Sequence, residues 1–357
     1  MSGRPTLRLV VAGTCARLGY AALTRRYPGD VKTWTRTNHR GEPVTLLEGP
    51  AVAAAAAAAA AAVPGLGSKE RLALAMAGLG AGAMGCYDDL AGSGDRRGFS
   101  GHLGALAKGE ITTGAVKIVG IGVAGLAAGL LVSRRPAGTR PGAIAGLAAR
   151  AVAPSASASA GASAVGRAAD IAINAGLVAG GANLMNLFDL RPGRAIKVSL
   201  LASAALAAGG PAARAAVAAP VGAAIALLPE DLGERAMLGD SGANALGAML
   251  GVAAASALQR PARIAALAGV VGLTAASEKI SFTKVIARTP ALRWLDMLGR
   301  RPVDAPATAD PGGRPEGGVP LGRAGTGIPV PADPGSSIPP GHTGPENWAA
   351  AETKRPR

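Results

Sequence analysis

The 357-residue sequence is poor in aromatic residues, charged residues and cysteine. Only nine residues are aromatic, three each of Phe, Trp and Tyr, and 17% are charged. Because soluble domains carry about 25% charged residues, the composition argues against an ordinary cytosolic enzyme. Cys15 and Cys86 are the only cysteines, which is too few for a disulfide framework or a zinc site.

Small and apolar residues take the place of the missing types. The chain contains 84 Ala and 53 Gly, together more than a third of its length, and its hydrophobic fraction is 49%. An apolar sequence of this length is not disordered, and it needs either a very large core or a bilayer. Small residues also let transmembrane helices approach one another closely. A nucleotide bias in the source genome is an alternative explanation for the excess of Ala and Gly.

Nine apolar segments predict an all-α fold, a polytopic helix bundle with about nine transmembrane helices. Several segments are shorter than the roughly 20 residues that a bilayer crossing requires. The segments are residues 7–23, 44–63, 72–87, 115–132, 168–188, 195–209, 212–228, 242–258 and 262–277.

The net charge of +15 arises from basic residues that lie in short clusters between the apolar segments. This distribution is typical of the positive-inside rule and argues against a nucleic-acid partner. With the N-terminus outside, the inner connections carry 19 Lys and Arg and the outer ones 11. The count predicts a multi-pass protein of the plasma (inner) membrane, with its N-terminus out and its C-terminus in. Because segment 7–23 contains Arg8 and Arg17 and lacks a clear cleavage site, no cleavable signal peptide is predicted.

The distribution of apolar, basic and proline residues divides the chain into three parts. Residues 1–280 form the predicted bundle, with a flexible outer loop at 133–166 that includes the low-complexity stretch 151–166. Residues 281–301 have apolar residues at helical spacing among basic ones, which predicts an interfacial amphipathic helix broken near Pro290. Residues 302–357 contain twelve prolines and predict a disordered cytoplasmic tail.

Acidic and amide residues stand at the ends of three predicted spans. Asp88 and Asp89 follow the third segment, and Asp240 precedes the eighth. Asn183, Asn186 and Asp189 lie three residues apart near the end of the fifth segment, so helical spacing predicts that they share one face. The parity of the predicted topology places all three groups on the cytoplasmic side.

Each group also has a simpler interpretation. The Asp88–Asp89 pair is compatible with a solvated loop, and Asp240 with an N-cap of the following helix. The two asparagines are compatible with hydrogen bonds between helices. Taken together, however, carboxylates and amides at one membrane face are the groups that bind a hard divalent cation and a diphosphate.

Basic residues near these groups predict the phosphate-binding part of the site, since Arg and Lys neutralise phosphate oxygens. Each of three candidates also has a simpler interpretation. His102 is compatible with a loop residue that has no role in binding, and Lys108 and Lys117 with lysines that only follow the positive-inside rule. The basic candidates are Arg96, Arg97, His102, Lys108, Lys117, Arg191, Arg194 and Lys197.

In this order, the segments resemble the polyprenyl-phosphate N-acetylhexosamine-1-phosphate transferase family (glycosyltransferase family 4). The resemblance covers roughly residues 36–300 and is carried by four pieces. They are RGEPVT at 40–45, Asp88–Asp89, the N-x-x-N-x-x-D of 183–189 and LGDSG at 238–242. Members of the family are integral membrane enzymes that use magnesium to transfer a sugar 1-phosphate from a UDP-sugar to a lipid phosphate.

The resemblance implies a role for each matching residue. Asp240 is expected to bind Mg²⁺, with Asp89 as an assisting ligand. Asp88 and Asp89 are expected to orient or deprotonate the lipid phosphate. Asn183, Asn186 and Asp189 are expected to hold the nucleotide, and Asp189 is also expected to be a catalytic residue, as are Asp88 and Asp89. The block of basic residues is expected to bind the phosphates.

The resemblance also implies the partners. They are a UDP-sugar, with UDP-N-acetylhexosamine as the leading candidate, a polyprenyl phosphate and the membrane, with a second copy of the chain as a further candidate. The activity implied is phosphoglycosyl transfer at the cytoplasmic face, in cell-wall or other envelope polymer synthesis.

The chain departs from the family pattern at defined positions. Asp189 is followed by LRPGRA, so Pro192 stands where the family usually has a second Asp, and no His-rich loop is present. These departures keep two alternatives open. One is a catalytically inactive homologue that acts as a membrane scaffold for envelope synthesis. The other is a small-solute transporter, although acids at one face rather than at the bilayer midplane argue against it.

Overall fold

The structure, a computed structural model, describes residues 3–92, 109, 112–133 and 156–302. This part of the chain is mostly helical and contains eleven α-helices. They are α1 (Gly3–Arg25), α2 (Glu48–Ala62), α3 (Ser68–Ala91), α4 (Thr113–Val132), α5 (Ala156–Phe188), α6 (Arg194–Ala207), α7 (Pro211–Leu232), α8 (Gly239–Ala257), α9 (Arg260–Ser277), α10 (Phe282–Arg288) and α11 (Pro290–Met297).

The predicted helical bundle is confirmed, because each of the nine apolar segments falls on one of the helices α1 to α9. Within the described residues, three helices are long and apolar enough to cross a membrane: α4, residues Ala164–Phe188 of α5, and α7. A fourth crossing results if α9 and α10, which are bent by 95° at their junction, count as one broken span. These apolar helices indicate a membrane protein.

Two local features differ from the prediction. Residues Thr35–Thr37 (β1) and Pro43–Thr45 (β2) pair as a small antiparallel sheet, so α2 begins at Glu48 rather than at Val44. Helix α5 begins at Ala156, so residues 156–166 are helical and not part of a flexible loop. Eight of these eleven residues are Ala or Ser, and the strong helix propensity of Ala accounts for the longer helix.

Helix α8 lies at the centre of the bundle and packs against α2, α3, α4, α5, α6 and α7. Sixteen of its nineteen residues are buried. Glycines allow this packing, because a Cβ added at Gly247 would lie 2.2 Å from the carbonyl oxygen of Gly181 in α5. A Cβ at Gly85 of α3 would lie equally close to the carbonyl oxygen of Asp240. The small residues therefore bring the backbones of neighbouring helices into direct contact.

Hydrogen bonds join several connecting segments at one end of the bundle. At this end the β1–β2 hairpin meets the segment after α7, where Thr45 donates to the carbonyl of Arg235. The same hairpin meets the segment after α11, where Arg301 donates to Glu42 at 2.7 Å. The amphipathic segment is helical and broken at Thr289, with Pro290 in the first turn of α11, which confirms the predicted break.

Candidate functional site

Three of the predicted acids converge at this end of the bundle with one lysine. Asp88 and Asp89 occupy the last turn of α3, Lys117 lies in the second turn of α4, and Asp240 lies in the first turn of α8. The α3–α8 contact at Gly85 brings the two acidic helix ends together. The prediction that these acids lie at the same end of the bundle is confirmed.

Lys117 bridges two of the carboxylates. Its Nζ lies 2.5 Å from Oδ2 of Asp88 and also donates a hydrogen bond to Oδ2 of Asp240. All three side chains are largely buried, with exposed fractions of 16 to 25%. The ammonium group therefore supplies the positive charge that holds two acids from different helices side by side.

Asp89 has a different environment from its neighbour. Its Oδ1 accepts a hydrogen bond of 3.1 Å from the backbone N–H of Asp240, and its Oδ2 accepts one of 3.0 Å from that of Ser241. These N–H groups belong to the first turn of α8, which has no intrahelical acceptors for them. Asp89 thus caps α8 from a neighbouring helix and interacts favourably with its dipole.

The two adjacent acids have pKa values that shift in opposite directions. Both lie beyond the apolar segment 72–87. Burial alone would raise the pKa of Asp88, but the hydrogen bond and charge of Lys117 outweigh burial and lower it. Burial and the charge of Asp240 raise the pKa of Asp89 to about 7. Neighbouring groups with separated pKa values are suited to different roles, one ionised and one exchanging a proton near neutral pH.

The arrangement was tested against the predicted Mg²⁺ site. Carboxylate oxygens are the donors that Mg²⁺ prefers. However, Lys117 lies between Asp88 and Asp240, and both oxygens of Asp89 accept backbone hydrogen bonds. Across residues 3–92, 112–133 and 156–302, no three His, Cys, Asp or Glu side chains are placed to hold a metal ion. In this arrangement Asp240 and Asp89 do not fit Mg²⁺, and magnesium stays a prediction.

Asn183 and Asn186 project from α5 into a cavity of about 380 Å³ beside Lys117. Asn183 is also 3.5 Å from the hydroxyl of Thr274 in α9. Apolar side chains form most of the remaining wall. The lining consists of Lys117, Ile118, Ile121, Ala179, Gly180, Asn183, Asn186, Asn244, Val270, Val271, Thr274, Ala275 and Glu278.

Asp189 does not share this cavity with the two asparagines. Helix α5 ends at Phe188, so the helical spacing that predicts a common face stops one residue before Asp189. Asp189 instead lines a second cavity of about 220 Å³. Desolvation, with the charges of Asp231 and Asp240, raises the pKa of Asp189 well above its usual value.

The second cavity combines acidic and basic groups. Arg191 lies in its wall as predicted for a binding residue, together with His39. Asp231 is 3% exposed and accepts a hydrogen bond of 3.0 Å from the backbone N–H of Gly193. Glu234 has a left-handed backbone with φ of 56° and pairs with Arg40 at 2.9 Å, which fixes the turn after α7 against the hairpin.

Arg194 is committed to a structural contact. Its guanidinium makes a bidentate pair with Asp296 of α11, at 2.6 and 3.1 Å, and donates to Thr283 of α10. Lys197 donates to three backbone carbonyls at the end of α11, including that of Leu298 at 2.9 Å. These two basic residues of α6 thus hold the amphipathic pair α10–α11 against the bundle, rather than facing either cavity.

Several buried polar residues of this region were not predicted. Glu48 is fully buried, and neither of its carboxylate oxygens has a hydrogen-bond partner. Asn244 is 1% exposed, and its amide is also without a partner. A charge inside the apolar segment 44–63 and an amide inside 242–258 were signals available in the sequence, because polar groups are rare in such segments.

Four of the basic candidates, Arg96, Arg97, His102 and Lys108, lie outside the described residues. Comparison with known proteins adds no assignment, since neither any protein-family model nor any curated protein matches the chain. The resemblance to the sugar 1-phosphate transferases therefore rests on the sequence motifs alone.

Proposed function

We propose that the protein is a membrane enzyme that transfers a sugar 1-phosphate from a UDP-sugar to a polyprenyl phosphate and releases UMP. The observation that carries this proposal is the convergence of Asp88, Asp89 and Asp240 around Lys117, which also lines a cavity that contains Asn183 and Asn186. Phosphoryl transfer depends chiefly on positioning and on neutralisation of charge, and Lys117 is the cation of this cluster that is proposed to face the phosphates.

The large cavity is proposed as the site of the lipid acceptor. Its wall contains apolar residues of α4 and α9, including Ile121, Val270 and Val271, which suit an isoprenoid chain. Lys117 lies at the same cavity and offers a cation for the lipid phosphate. The second cavity, with Arg191 and His39, is proposed as the site of the nucleotide.

The proposed reaction is a single phosphoryl transfer. An oxygen of the lipid phosphate attacks the β-phosphorus of the UDP-sugar, and the bond from that phosphorus to the bridging oxygen breaks, so that UMP leaves. Lys117 neutralises phosphate charge as it builds up. A phosphate monoester loses its second proton near pH 6, and Asp89, with its pKa of about 7, is the group proposed to accept that proton.

The membrane arrangement proposed with this activity has nine crossings and an active face in the cytoplasm. It is supported by the 19 Lys and Arg of the predicted inner connections against 11 in the predicted outer ones. No step of the proposed reaction uses Mg²⁺, because the arrangement of Asp240 and Asp89 does not fit the ion, and activity with and without Mg²⁺ tests the predicted dependence.

The test is an assay of UMP release by purified protein with polyprenyl phosphate and a panel of UDP-sugars, each with and without Mg²⁺. We expect release with at least one UDP-sugar, and a loss of at least about a hundredfold in the variant Asp240→Asn. Asp170→Asn is the matched control, because Asp170 pairs with Arg263 rather than with the cluster. It should retain activity.

Absence of UMP release with every UDP-sugar, or release that survives Asp240→Asn, would contradict the proposal. The first outcome would favour an inactive homologue that acts as a scaffold. In that case Asp88→Asn and Asp240→Asn would leave the cellular phenotype unchanged.

A further inference from the structure

Asn244 is buried in α8 without any hydrogen bond to its side chain. The residue is 1% exposed, and both Oδ1 and Nδ2 lack a partner. An amide buried in this way destabilises the folded protein, because it has lost its hydrogen bonds to water and gained none in return. Native proteins rarely contain such a group without a functional reason.

Asn174 shows how the same residue type is accommodated elsewhere in the bundle. It is 0% exposed, but its Nδ2 donates to the hydroxyl of Ser133 at 3.0 Å, and its Oδ1 accepts from Arg263 at 2.7 Å. The fold therefore satisfies one buried asparagine completely and leaves the other unpaired.

The position of Asn244 indicates what it is for. It lies four residues after Asp240, so both side chains are on the same face of α8. It also lines the 380 Å³ cavity beside Lys117. Two of the three N–H bonds of Lys117 are directed to Asp88 and Asp240, which leaves one for a group inside the cavity.

We propose that Asn244 binds the phosphate end of the acceptor lipid in this cavity, opposite Lys117. Its Nδ2 donates a hydrogen bond to a non-bridging phosphate oxygen, and its Oδ1 accepts a hydrogen bond from the P–OH group of the singly protonated phosphate. The identification of the ligand as an isoprenoid phosphate rests on the proposed function. The inference that the buried amide binds some polar partner in the cavity rests only on the structure.

A ligand-binding amide and a structural amide respond differently to replacement. Removing an unpaired buried amide relieves a cost in the free protein, so Asn244→Leu should raise the melting temperature of the ligand-free protein. Removing a paired amide leaves its hydrogen-bonding partners without a partner, so the control Asn174→Leu should lower the melting temperature. Asn244→Ala is a second variant that removes the amide without adding bulk.

The experiment measures thermal unfolding of detergent-purified protein during titration with farnesyl phosphate, with no UDP-sugar or Mg²⁺ present. We expect farnesyl phosphate to stabilise the wild type and Asn174→Leu at similar concentrations. In Asn244→Leu and Asn244→Ala, the concentration needed should rise about tenfold or more, as expected for the loss of a hydrogen bond to a charged group. Farnesol, which lacks the phosphate, should stabilise none of the proteins comparably.

Two results would overturn the proposal: equal stabilisation of the wild type and both Asn244 variants by farnesyl phosphate, or equal stabilisation of the wild type by farnesol. No stabilisation of the wild type would also count against it. UMP release separates these failures from failure of the proposed function. If Asn244→Ala releases UMP with an unchanged KM for the lipid, the proposed role of Asn244 is wrong and the proposed enzyme activity stands. If farnesyl phosphate binding depends on Asn244 but no UMP is released, the proposed activity is wrong and the lipid phosphate site stands.

Discussion

Helices α8 and α9 have similar composition and opposite surroundings. Both are 18 to 19 residues long and consist mainly of Gly, Ala, Leu and Val. Sixteen residues of α8 are buried, whereas α9 has no buried residue. Helix α8 provides Asp240 and Asn244 to the site, while α9 provides an apolar wall of the cavity. Composition alone therefore does not distinguish the centre of this bundle from its edge.

The glycines explain the difference. Three of the four glycines of α8, at 242, 247 and 251, each face atoms of a neighbouring helix at less than 3 Å from an added Cβ. Those of α9, at 269 and 272, face nothing within 4 Å. Close packing accounts for the glycines of α8, whereas no contact in the structure requires those of α9, which are compatible with a compositional bias of the genome.

The largest effect that we expect comes from Gly247→Leu. Its side chain would have to occupy the position of the backbone of α5 at Gly181 and Ala182, so α5 and α8 would be forced apart. We expect a loss of more than about 3 kcal/mol, because overpacking here meets backbone rather than side chains that can move. Thermal unfolding of the purified protein measures the loss.

Gly272→Leu is the matched control on α9. It adds the same side chain to open space and should change the free energy of unfolding by less than about 0.5 kcal/mol. Similar stabilities of the two variants would show that α8 is not tightly packed against α5.

The charges on the two helices provide a second comparison. Asp240 of α8 pairs with Lys117 inside the acid cluster, and Arg263 of α9 pairs with Asp170 and Asn174. If the proposed function holds, Lys117→Met should reduce UMP release at least about a hundredfold, because it removes the cation proposed to face the phosphates. It should also destabilise the protein, since Asp88 and Asp240 are left without a counter-charge.

Arg263→Met is the control for this prediction. It should destabilise the protein by about 1–2 kcal/mol through the loss of its hydrogen bonds, and it should leave the turnover of the folded fraction unchanged. UMP release normalised to folded protein separates the two effects. A Lys117→Met protein with normal turnover would mean that the cluster is structural.

Much of the fold could be predicted because its signals are local. Apolar segments are read from neighbouring residues, and all nine fall on helices. The parity of these helices was sufficient to bring Asp88, Asp89 and Asp240 to one end. The hairpin was missed because its pairs Thr35–Thr45 and Thr37–Pro43 form only once the chain turns at 38–42.

The roles of single residues were harder to predict, because they depend on partners far away in sequence. From the sequence, Arg194 is a candidate phosphate ligand. In the structure it pairs with Asp296, which lies 102 residues further along the chain. The sequence does not show which of Asn174 and Asn244 is paired, since both are amides inside apolar segments. Only the presence of Ser133 and Arg263 beside one of them separates them. In the same way, because α5 ends at Phe188, Asp189 lines the second cavity and not the cavity that contains Asn183 and Asn186.

The smallest effect that we expect is a pH dependence that originates where Asp89 caps α8. Burial and the charge of Asp240 raise the pKa of Asp89 to about 7, whereas Lys117 lowers that of Asp88. Asp89 loses the ability to accept a proton as the pH falls below 7, and Asp88 stays ionised. UMP release should therefore fall about tenfold for each pH unit below 7.

The raised pKa of Asp89 also predicts how the stability of the protein depends on pH. Stability should fall as the pH rises, whereas a carboxylate whose pKa is lowered by an ion pair makes stability rise with pH. The pKa of Asp89 is higher in the folded protein than the unfolded value of about 3.9, so the unfolded state ionises first as the pH rises. Its contribution to stability is thus lost between about pH 4 and pH 7 and is constant above. Asp89→Asn should reduce this slope, whereas Asp170→Asn, beside Arg263 of α9, should leave it unchanged. A slope unaltered by Asp89→Asn would place the titrating group elsewhere, with Asp189 as the next candidate because its pKa is also raised.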